Sequence, residues 1–456
     1  MTKHSDLIII GSGPGGYRAA QYAAQNGLKV VIVEAAEVGG TCLNRGCIPT
    51  KALCRNAEVA DTLRHAGEFG IVCTVENLDF AKVMERKCRV TEQLRCGVET
   101  LMQLPGITLV YGFARFKNSR TVDVDGMEYT AENIIIATGS SPKLLPIDGA
   151  DIPGVLTSDG LLEIDHLPKR LCIIGAGVIG MEFASAFSSF GSQVTVIEFL
   201  KECLPVLDGD IAKRLRQTMA KRGVEFAMQS TVKSIAESLT EEGSRQLVVT
   251  YEKKGKTAVT YADTVLIATG RKPNIESLQL ELAGVEYSSK GIATDENFCT
   301  STEGIYAIGD VNGKCMLAHA ATFQGLHAIN HILKRTDCIN PDIMPSAIFT
   351  YPEAASVGLT EDQLKAKGKV PECRKGYYRS NGKALAIGET DGMIKLLVDT
   401  VDRGRIVGCH AFGAHASDII QEVAALMNTG GTVEQLADII HIHPTLSEIL
   451  NEMALQ

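Results

Sequence analysis

Two cysteines near the amino terminus have the spacing and surroundings for chemistry at sulfur. Cys42 and Cys47 are five positions apart in the stretch GGTCLNRGCIPTK, which covers residues 39–51. Such a pair could be a structural disulfide, half of a metal site, or a redox pair that opens and closes during turnover. Other parts of the chain are needed to choose among these three possibilities.

Two histidines near the carboxyl terminus offer a second chemical group. His441 and His443 lie in HIHPTLSEIL, and Glu448 follows His443 by five residues. We expect no metal, because His-x-His has no nearby third ligand and Cys-x4-Cys is not the usual half-site for zinc. A histidine that is hydrogen-bonded to a carboxylate is better suited to act as a general base, because the carboxylate fixes its tautomer and raises its basicity.

Composition narrows the class of protein. The chain has 456 residues, is 45% hydrophobic and carries a formal net charge of −9, which predicts a soluble protein of several domains that does not bind nucleic acid. The apolar run LIII after MTKHSD is too short for a signal peptide, and no apolar stretch approaches a membrane span. Thirteen cysteines in such a chain predict a reducing, cytoplasmic location, where a permanent disulfide is disfavoured.

Two segments of equal length, 7–34 and 171–198, carry the same dinucleotide-binding signature. Each has an apolar strand, a G-x-G-x-x-G turn, an amphipathic helix, a second strand and a terminal glutamate. The first glycine permits a tight turn, the second lets the backbone approach a pyrophosphate, and the third lets the helix pack on the strand. The helix then directs its N-terminal N–H groups at the phosphates. The glycines are Gly11, Gly13 and Gly16 in the first copy and Gly175, Gly177 and Gly180 in the second.

The two copies end in Glu34 and Glu198. A carboxylate at this position accepts hydrogen bonds from ribose hydroxyls and repels a 2′-phosphate. Lys201 follows Glu198, but the segment EFLKECLP lacks the arginine cluster that NADP usually needs. The sequence therefore predicts two dinucleotides without a 2′-phosphate, and NAD rather than NADP.

Shorter repeated motifs indicate where the domains join. NIIIATGSSP and TVLIATGRKP are apolar strands that end in Ala-Thr-Gly, where we expect the chain to leave one domain and enter another. GIYAIGDV is a further buried strand, which would bring Asp310 to the carboxyl end of a sheet, where ligands of α/β proteins bind. The alternative is that Asp310 only caps the following turn.

The last third of the chain has a different pattern. Beyond about residue 341, SAIFTYPEAASVGLT, MIKLLVD and RIVGCHAFG alternate like antiparallel strands, and helices are predicted over 416–428 and 433–439. We therefore expect an α+β domain without a nucleotide signature. The predicted domains are a first dinucleotide-binding domain at 1–144, a second at 145–270, a central segment at 271–340 that completes the first, and the C-terminal domain at 341–456.

Together these motifs resemble the flavin disulfide oxidoreductases, in particular the branch that oxidises dihydrolipoamide. GGTCLNRGCIPTKAL, ATGSSP, GAGVIGME, ATGRKPN, IYAIGDV, MLAHAA, YPEAASVGLTE and HIHPTLSE occur in the family's order from end to end. The resemblance implies an α/β fold with two Rossmann-like domains, for FAD and then NAD, and a C-terminal α+β dimerisation domain. It also implies a homodimer whose substrate is carried by the lipoyl domain of an acyltransferase (E2) or by a glycine-cleavage H-protein.

The resemblance also implies roles for the cysteines and the histidine. Cys42 and Cys47 would form a redox disulfide against the flavin, with Cys42 exchanging with substrate and Cys47 next to the flavin, from which a hydride passes to NAD⁺. His443 would deprotonate the substrate thiol, and Glu448 would orient His443 and stabilise its imidazolium. The family places this histidine opposite the disulfide of the twofold-related subunit.

Further contacts follow from the same resemblance. Lys51 would lie near the flavin N5 edge, paired with Glu182, although an ordinary surface ion pair is the alternative. Val232 and Gly270 would flank NAD. The remaining positions expected to contact FAD are Thr41, Ala114, Thr138, Gly139, Ser140, Asp310, Met316, Leu317, Ala318 and His319.

Three positions depart from the family's commoner pattern. Arg45 lies between the cysteines where valine is common, and Ala320 and Gln324 stand where lysine and glutamate are frequent. None of them removes a catalytic group. Arg45 could stabilise a nearby thiolate by Coulomb attraction, or it could point into solvent. The alternative functions are a related glutathione- or mercuric-reductase-like enzyme and a flavin scaffold that has lost its chemistry.

Overall fold

The computed structural model describes residues 3–74 and 76–456, which form two compact units. Met1 and Thr2, the start of the first predicted domain, lie outside the described residues. Unit 1 comprises Met1–Ala52, Lys82–Lys143 and Gly270–Ile339. Unit 2 comprises Leu53–Ala81, Leu144–Thr269 and Asn340–Gln456. The four domain limits expected from the sequence remain predictions.

Strands and helices are numbered along the chain. The strands are β1 (Lys3–Ile10), β2 (Val30–Glu34), β3 (Ile107–Tyr111), β4 (Ala114–Asn118), β5 (Thr121–Val124), β6 (Met127–Ile136), β7 (Ser140–Pro142), β8 (Val155–Leu156), β9 (Arg170–Ile174), β10 (Gln193–Glu198), β11 (Glu225–Met228), β12 (Ser230–Leu239), β13 (Arg245–Lys253), β14 (Lys256–Ala262), β15 (Thr264–Ile267), β16 (Arg271–Pro273), β17 (Tyr287–Ser288), β18 (Gly291–Ile292), β19 (Ile305–Ala307), β20 (Ser346–Ile348), β21 (Ala354–Gly358), β22 (Glu372–Tyr377), β23 (Met393–Asp399) and β24 (Arg405–Phe412). The α-helices are α1 (Pro14–Gln25), α2 (Gly40–Arg45), α3 (Cys47–Arg64), α4 (Phe80–Leu101), α5 (Ser158–Leu161), α6 (Val178–Phe190), α7 (Gly209–Lys221), α8 (Ala318–Ile332), α9 (Glu361–Ala366), α10 (Gly382–Ile387), α11 (Ala416–Asn428), α12 (Val433–Ala437) and α13 (Glu448–Ala454). Short 3-10 turns occur at Ala66–Phe69, Leu280–Ala283, Gly309–Asn312 and Tyr378–Ser380.

Unit 1 is built on a mixed sheet with the strand order β3-β2-β1-β6-β5-β4, in which β19 also pairs with β6. The strands β3, β2, β1, β6 and β19 run parallel, and β5 and β4 are antiparallel additions. Because side chains alternate along a strand, Ile8 of β1 packs on one face of the sheet and Leu7 and Ile9 pack on the other. Burial on both faces explains why this strand reads as a continuous apolar run.

Unit 2 repeats the same arrangement in its middle segment. Its parallel sheet has the order β11-β10-β9-β15-β8, so that four of its strands correspond to β3-β2-β1-β6 of unit 1. In each case a glycine turn and a helix, α1 or α6, connect the first two strands of the motif. The repeat seen in the sequence is therefore a repeat of structure. An antiparallel sheet of β12, β13 and β14 is inserted between β11 and β15.

The C-terminal part of unit 2 is an antiparallel sheet with the order β20-β21-β24-β23-β22. The predicted strands and the helix over 416–428 are present, so the α+β expectation holds here. One detail differs, because β23 is buried on both faces and includes a buried Lys395. Its ammonium contacts Asp208 and Asp210 at the start of α7 and Glu361 of α9, which lie over the second face.

The last predicted helix, 433–439, is shorter than expected. A capping box at Thr432 starts α12, which ends at Ala437. Asn451 of α13 then donates its side-chain N–H to the carbonyl of Ala437 at 2.9 Å, so this carbonyl is satisfied without a further helical turn.

Over residues 3–74 and 76–456, no helix combines the length and the apolar character needed to cross a membrane.

Candidate active site

The two cysteines lie in unit 1, on consecutive helices. Cys42 is in the middle of α2, and Cys47 is the first residue of α3, with Gly46 between the helices. Both cysteines are half-buried, and their sulfurs lie near disulfide distance. A hydrogen bond with Cys47 and burial raise the pKa of the Cys42 thiol, while the charge of Lys51 acts in the opposite direction. The pair is therefore placed for disulfide formation and breakage.

Arg45 pairs with an acidic side chain, Glu37. Its guanidinium forms an ion pair with Glu37 at 2.9 Å, and both side chains are about half exposed, at 46% and 50%. Of the two possibilities considered from the sequence, Arg45 thus takes the exposed one. The cation that acts on the Cys42 thiol is Lys51 of α3.

His443 and Glu448 form a hydrogen-bonded pair in unit 2. Nδ1 of His443 lies 2.8 Å from Oε1 of Glu448, and the backbone N–H of Thr445 donates to Oε2 of the same carboxylate at 2.8 Å. The N–H of Thr445 and then His443 lower the pKa of Glu448. An ionised Glu448 holds a proton on Nδ1, which leaves Nε2 of His443 available to accept a proton from a thiol.

The first and third glycines of both dinucleotide motifs are required by sterics. A Cβ on Gly11 would lie 2.4 Å from the carbonyl oxygen of Ala137, and one on Gly16 would lie 1.9 Å from the oxygen of Gly11. In the second motif a Cβ on Gly175 would lie 2.5 Å from the oxygen of Ala268, and Gly180 repeats the contact of Gly16. Neither turn can be built with a larger residue at these positions.

The second glycine of each motif faces open space instead. A Cβ on Gly13 or Gly177 would have no neighbour within 4 Å. Each of these glycines caps the helix that follows, and in the described part of the chain neither α1 nor α6 has a side-chain cap or an acidic residue in its first turn. Free space and unpaired N–H groups at a helix N-terminus are what a pyrophosphate needs, so both motifs fit a dinucleotide.

The glutamates that end the two motifs are held by backbone N–H groups. Glu198 accepts from the N–H of Ala176 at 2.6 Å and from that of Leu200 at 2.7 Å, one at each carboxylate oxygen. Glu34 accepts from the N–H and the hydroxyl of Ser12 and, at its other oxygen, from the N–H of Ala36. Both oxygens of Glu198 and Oε1 of Glu34 keep acceptor capacity for a ribose hydroxyl, so the expected role fits.

Asp310 is held by Ser140, which in turn contacts Arg271. Ser140 donates its hydroxyl to Oδ2 of Asp310 at 2.5 Å, and Arg271 donates to that hydroxyl at 2.7 Å and to the carbonyl of Ser140 at 2.6 Å. The pairing of β7 with β16 brings Arg271 to Ser140, since it places the two Ala-Thr-Gly junctions side by side. Asn274 adds a reciprocal pair of hydrogen bonds with Thr138.

The signal for Arg271 and Asn274 was present in the sequence. Both lie in ATGRKPN, which is interpreted from the sequence as a domain junction and a family motif, with no role given to either residue. Gln324 was noted as a departure, and the structure shows its contacts: its side-chain oxygen accepts from the N–H of Gly309 and from Asn312, in the turn that carries Asp310. An amide oxygen supports this turn as a carboxylate would.

The other predicted positions are distributed over both units. In unit 1, Thr41 lies in α2, Ala114 starts β4, Gly139 precedes β7, Gly270 precedes β16, Met316 and Leu317 precede α8, and Ala318 and His319 begin it. In unit 2, Val232 lies on β12 and Glu182 on α6. Glu182 is buried and accepts a hydrogen bond from the N–H of Phe349 at 2.9 Å. Its pairing with Lys51 remains a prediction.

Among the described residues, no group of three or more His, Cys, Asp or Glu side chains could hold a metal ion.

Comparisons with known proteins agree with this geometry. The model of the pyridine nucleotide-disulphide oxidoreductase family matches residues 5–325, and that of the family's dimerisation domain matches residues 344–454. The chain is 39% identical over 469 residues to the dihydrolipoyl dehydrogenase of Bacillus subtilis (strain 168), an alignment that covers 100% of this chain and 98% of that protein. It is 39% identical over 455 residues to the dihydrolipoyl dehydrogenase of Geobacillus stearothermophilus, covering 99% and 95%. Among solved structures, the Cu(II) complex of the HOCl-induced flavoprotein disulfide reductase RclA from Escherichia coli superposes with a TM-score of 0.88 at 31% identity, covering 100% and 99%.

Proposed function

Since the chain belongs to the pyridine nucleotide-disulphide oxidoreductase family, we propose that it is a dihydrolipoyl dehydrogenase, which oxidises dihydrolipoamide to lipoamide and reduces NAD⁺. The predicted resemblance and fold class are confirmed by the family match. Members of this family use FAD and NAD(H). The observation that carries the proposal is the presence of a close cysteine pair and a His443–Glu448 pair in a chain that aligns with dihydrolipoyl dehydrogenases over its whole length.

The first half-reaction can be written with the chain's own groups. Nε2 of His443 takes a proton from one thiol of dihydrolipoamide, and the resulting thiolate attacks Sγ of Cys42. The Cys42–Cys47 bond breaks, and Cys47 leaves as a thiolate at the N-terminus of α3, where the helix dipole and the charge of Lys51 stabilise negative charge. The second substrate thiol then attacks the substrate sulfur of the mixed disulfide, which releases lipoamide and leaves Cys42 reduced.

The second half-reaction restores the disulfide. When bound, FAD supplies the two-electron acceptor for the reduced cysteine pair and the hydride donor for NAD⁺. In total, two electrons and two protons leave the dithiol, and NAD⁺ takes up a hydride while one proton goes to solvent. We assign the flavin to the residues of unit 1 around Gly13, Ser140 and Asp310, and NAD to Gly177 and Glu198.

The assembly and the location complete the proposal. The match to the dimerisation domain supports a homodimer. Within it we assign His443 to the disulfide of the partner subunit, an isologous arrangement. The electron donor would be the lipoyl domain of an acyltransferase or a glycine-cleavage H-protein, in the cytoplasm. The domain limits 1–144, 145–270, 271–340 and 341–456 belong to the same proposal.

Two measurements test this function. Anaerobic addition of dihydrolipoamide to the flavin-loaded protein should produce a long-wavelength charge-transfer band between a thiolate and the flavin, which a scaffold without active cysteines would not show. Steady-state rates with lipoamide and with glutathione, each with NADH and NADPH, should favour lipoamide and NADH. A preference for glutathione would contradict the proposal and favour a glutathione-reductase-like enzyme.

A further inference from the structure

The first histidine of the HIHP sequence has no role in the proposed reaction, yet its environment is unusual. The side chain of His441 is 6% exposed, whereas that of His443 is 81% exposed. The two isoleucines beside them, Ile440 and Ile442, are 96% and 79% exposed. Within the described stretch 440–443, which has neither helix nor strand, His441 is therefore the side chain that points inward and can attach this stretch to the fold.

His441 is held at both ring nitrogens. Nε2 lies 2.9 Å from Oε1 of Glu422 on α11, and Nδ1 lies 2.9 Å from the backbone oxygen of Ile439. A carboxylate and a carbonyl only accept hydrogen bonds, so both contacts are satisfied when both nitrogens donate. In that form the ring makes a charge-assisted hydrogen bond to the carboxylate, which is stronger than a neutral hydrogen bond.

The two partners of His441 are themselves fixed. Glu422 is on α11, whose neighbouring residue Val423 is fully buried in the C-terminal core. The carbonyl of Ile439 also lies 3.4 Å from the side-chain amide of Asn451 on α13. Because Glu422 belongs to a packed helix and the carbonyl of Ile439 contacts another helix, α13, the position of His441 is determined by the core rather than by the exposed loop.

The same loop connects to the His443–Glu448 pair. Thr445 donates its hydroxyl to the carbonyl of Ile442 at 2.7 Å and its N–H to Glu448 at 2.8 Å. The charge of His441 contributes, after Thr445 and His443, to the lowered pKa of Glu448. His441 thus acts on the pair both through the backbone and through its charge.

We propose that His441 is a positioning residue for His443, and that its ion pair with Glu422 fixes the backbone of 440–443 so that Nε2 of His443 meets the substrate thiol at a constant distance. This inference rests on the proposed function. Loss of the ion pair would let the loop move, and a displacement of about 1 Å at a reacting group can lower a rate about 100-fold.

The test uses the flavin-loaded dimer with three variants. His441→Gln removes the cation, and Glu422→Gln removes its partner's charge while keeping the size of the side chain. His415→Gln is the matched control, because His415 is an exposed histidine that contacts Asp418 at the start of the same helix α11. We measure kcat and KM for dihydrolipoamide oxidation by NAD⁺, and NADH-dependent reduction of ferricyanide, which needs both cofactors but no thiol.

We expect kcat for dihydrolipoamide to fall about tenfold or more in His441→Gln and Glu422→Gln, with KM, flavin content and ferricyanide reduction changed by less than about twofold. The control should match the wild type. In a His443→Ala background, adding His441→Gln should cost less than about a further twofold, because the residue through which it acts is already absent.

Other outcomes overturn the inference. They are a kcat within about twofold of wild type, a parallel loss of ferricyanide reduction, or a cost of His441→Gln that is undiminished in the His443→Ala background. If His441→Gln does not fold, Glu422→Gln decides by the same comparisons. A wild-type enzyme that fails to oxidise dihydrolipoamide would instead overturn the proposed function, so the two failures are distinguishable.

Discussion

We predict that Glu198 sets the choice between NADH and NADPH, so that Glu198→Ala should weaken the preference for NADH. The carboxylate is oriented by the N–H groups of Ala176 at 2.6 Å and Leu200 at 2.7 Å, one at each oxygen. Because both oxygens are fixed at the carboxyl end of β10, their remaining lone pairs have a constant direction toward a ribose. Removal of the carboxylate takes away this hydrogen bond and the repulsion of a 2′-phosphate.

The magnitude follows from the kind of interaction that is lost. A hydrogen bond to a charged group contributes about 1.5–3 kcal/mol, and solvent screens the repulsion of the phosphate at this half-buried site. We therefore expect the NADH preference, measured as the ratio of kcat/KM for NADH to that for NADPH, to fall by about 1–3 kcal/mol, or about 5- to 150-fold. Glu198→Gln should fall between wild type and alanine, because the amide accepts through only one atom and must lose one of the two backbone contacts.

Glu225→Ala is the matched control for this experiment. Glu225 begins β11, which is parallel to β10, so it lies toward the amino ends of the strands, whereas Glu198 ends β10. Both substitutions remove one negative charge from the same sheet. The assay is steady-state lipoamide reduction with each nucleotide. The reasoning is refuted if the ratio is unchanged in Glu198→Ala, or if Glu225→Ala changes it as much.

The remaining predictions concern the cysteines, the dimer and the buried lysine. Cys42→Ser should abolish lipoamide turnover while the protein keeps its flavin, and near-normal turnover would show that the redox-pair assignment is wrong. Inactive Cys42→Ser chains can be mixed equally with inactive His443→Ala chains and allowed to exchange subunits. The mixture should recover about a quarter of wild-type activity, because half of the dimers are hybrids with one intact site of two. Hybrids without activity would place both groups in one chain. Lys395→Met should lower stability by about 3–5 kcal/mol, measured by denaturant unfolding, because the buried carboxylate of Asp208 loses its counter-charge; a change below about 1 kcal/mol would contradict this. Hydrogen bonds with lysines, chiefly Lys375 for Asp210 and Lys365 for Glu361, lower the pKa of the two carboxyls to about 2, from 3.8 and 4.5. The stability that these carboxylates contribute should therefore be present above about pH 4.5 and lost as the pH falls toward 2. Unfolding curves that are unchanged between these pH values would exclude this.

The parts of the fold that were predictable are those that depend on neighbouring residues. The strand, glycine turn and helix of each dinucleotide motif lie within about thirty residues, so their spacing along the chain sets their spacing in the fold. The same holds for β23, whose limits agree with MIKLLVD, and for the pair His443 and Glu448, which lie on either side of a short turn.

Contacts between distant segments were not predictable in the same way. Arg271 and Asp310 are 131 and 170 positions from Ser140. The pairing of β7 with β16 brings Arg271 to Ser140, and the pairing of β19 with β6 places the turn that carries Asp310 on the same sheet as the strand that leads to Ser140. Lys395 is a similar case. It lies in an alternating strand, and α7 and α9, from other parts of the chain, cover one face of that strand and supply its carboxylate partners.

The HIHP segment shows which features the sequence determines and which the tertiary structure determines. The sequence by itself determined that a histidine and a glutamate five residues apart could form a general base, because that distance is short enough for the local backbone alone to join them. It did not determine which of the two histidines is exposed, since alternation along the chain allows either. The structure decided this through Glu422, 19 residues before His441, because a carboxylate held on α11 pairs with one imidazole and leaves His443 free to face outward. An ion pair between separate elements depends on how those elements pack, and packing is a property of the whole fold.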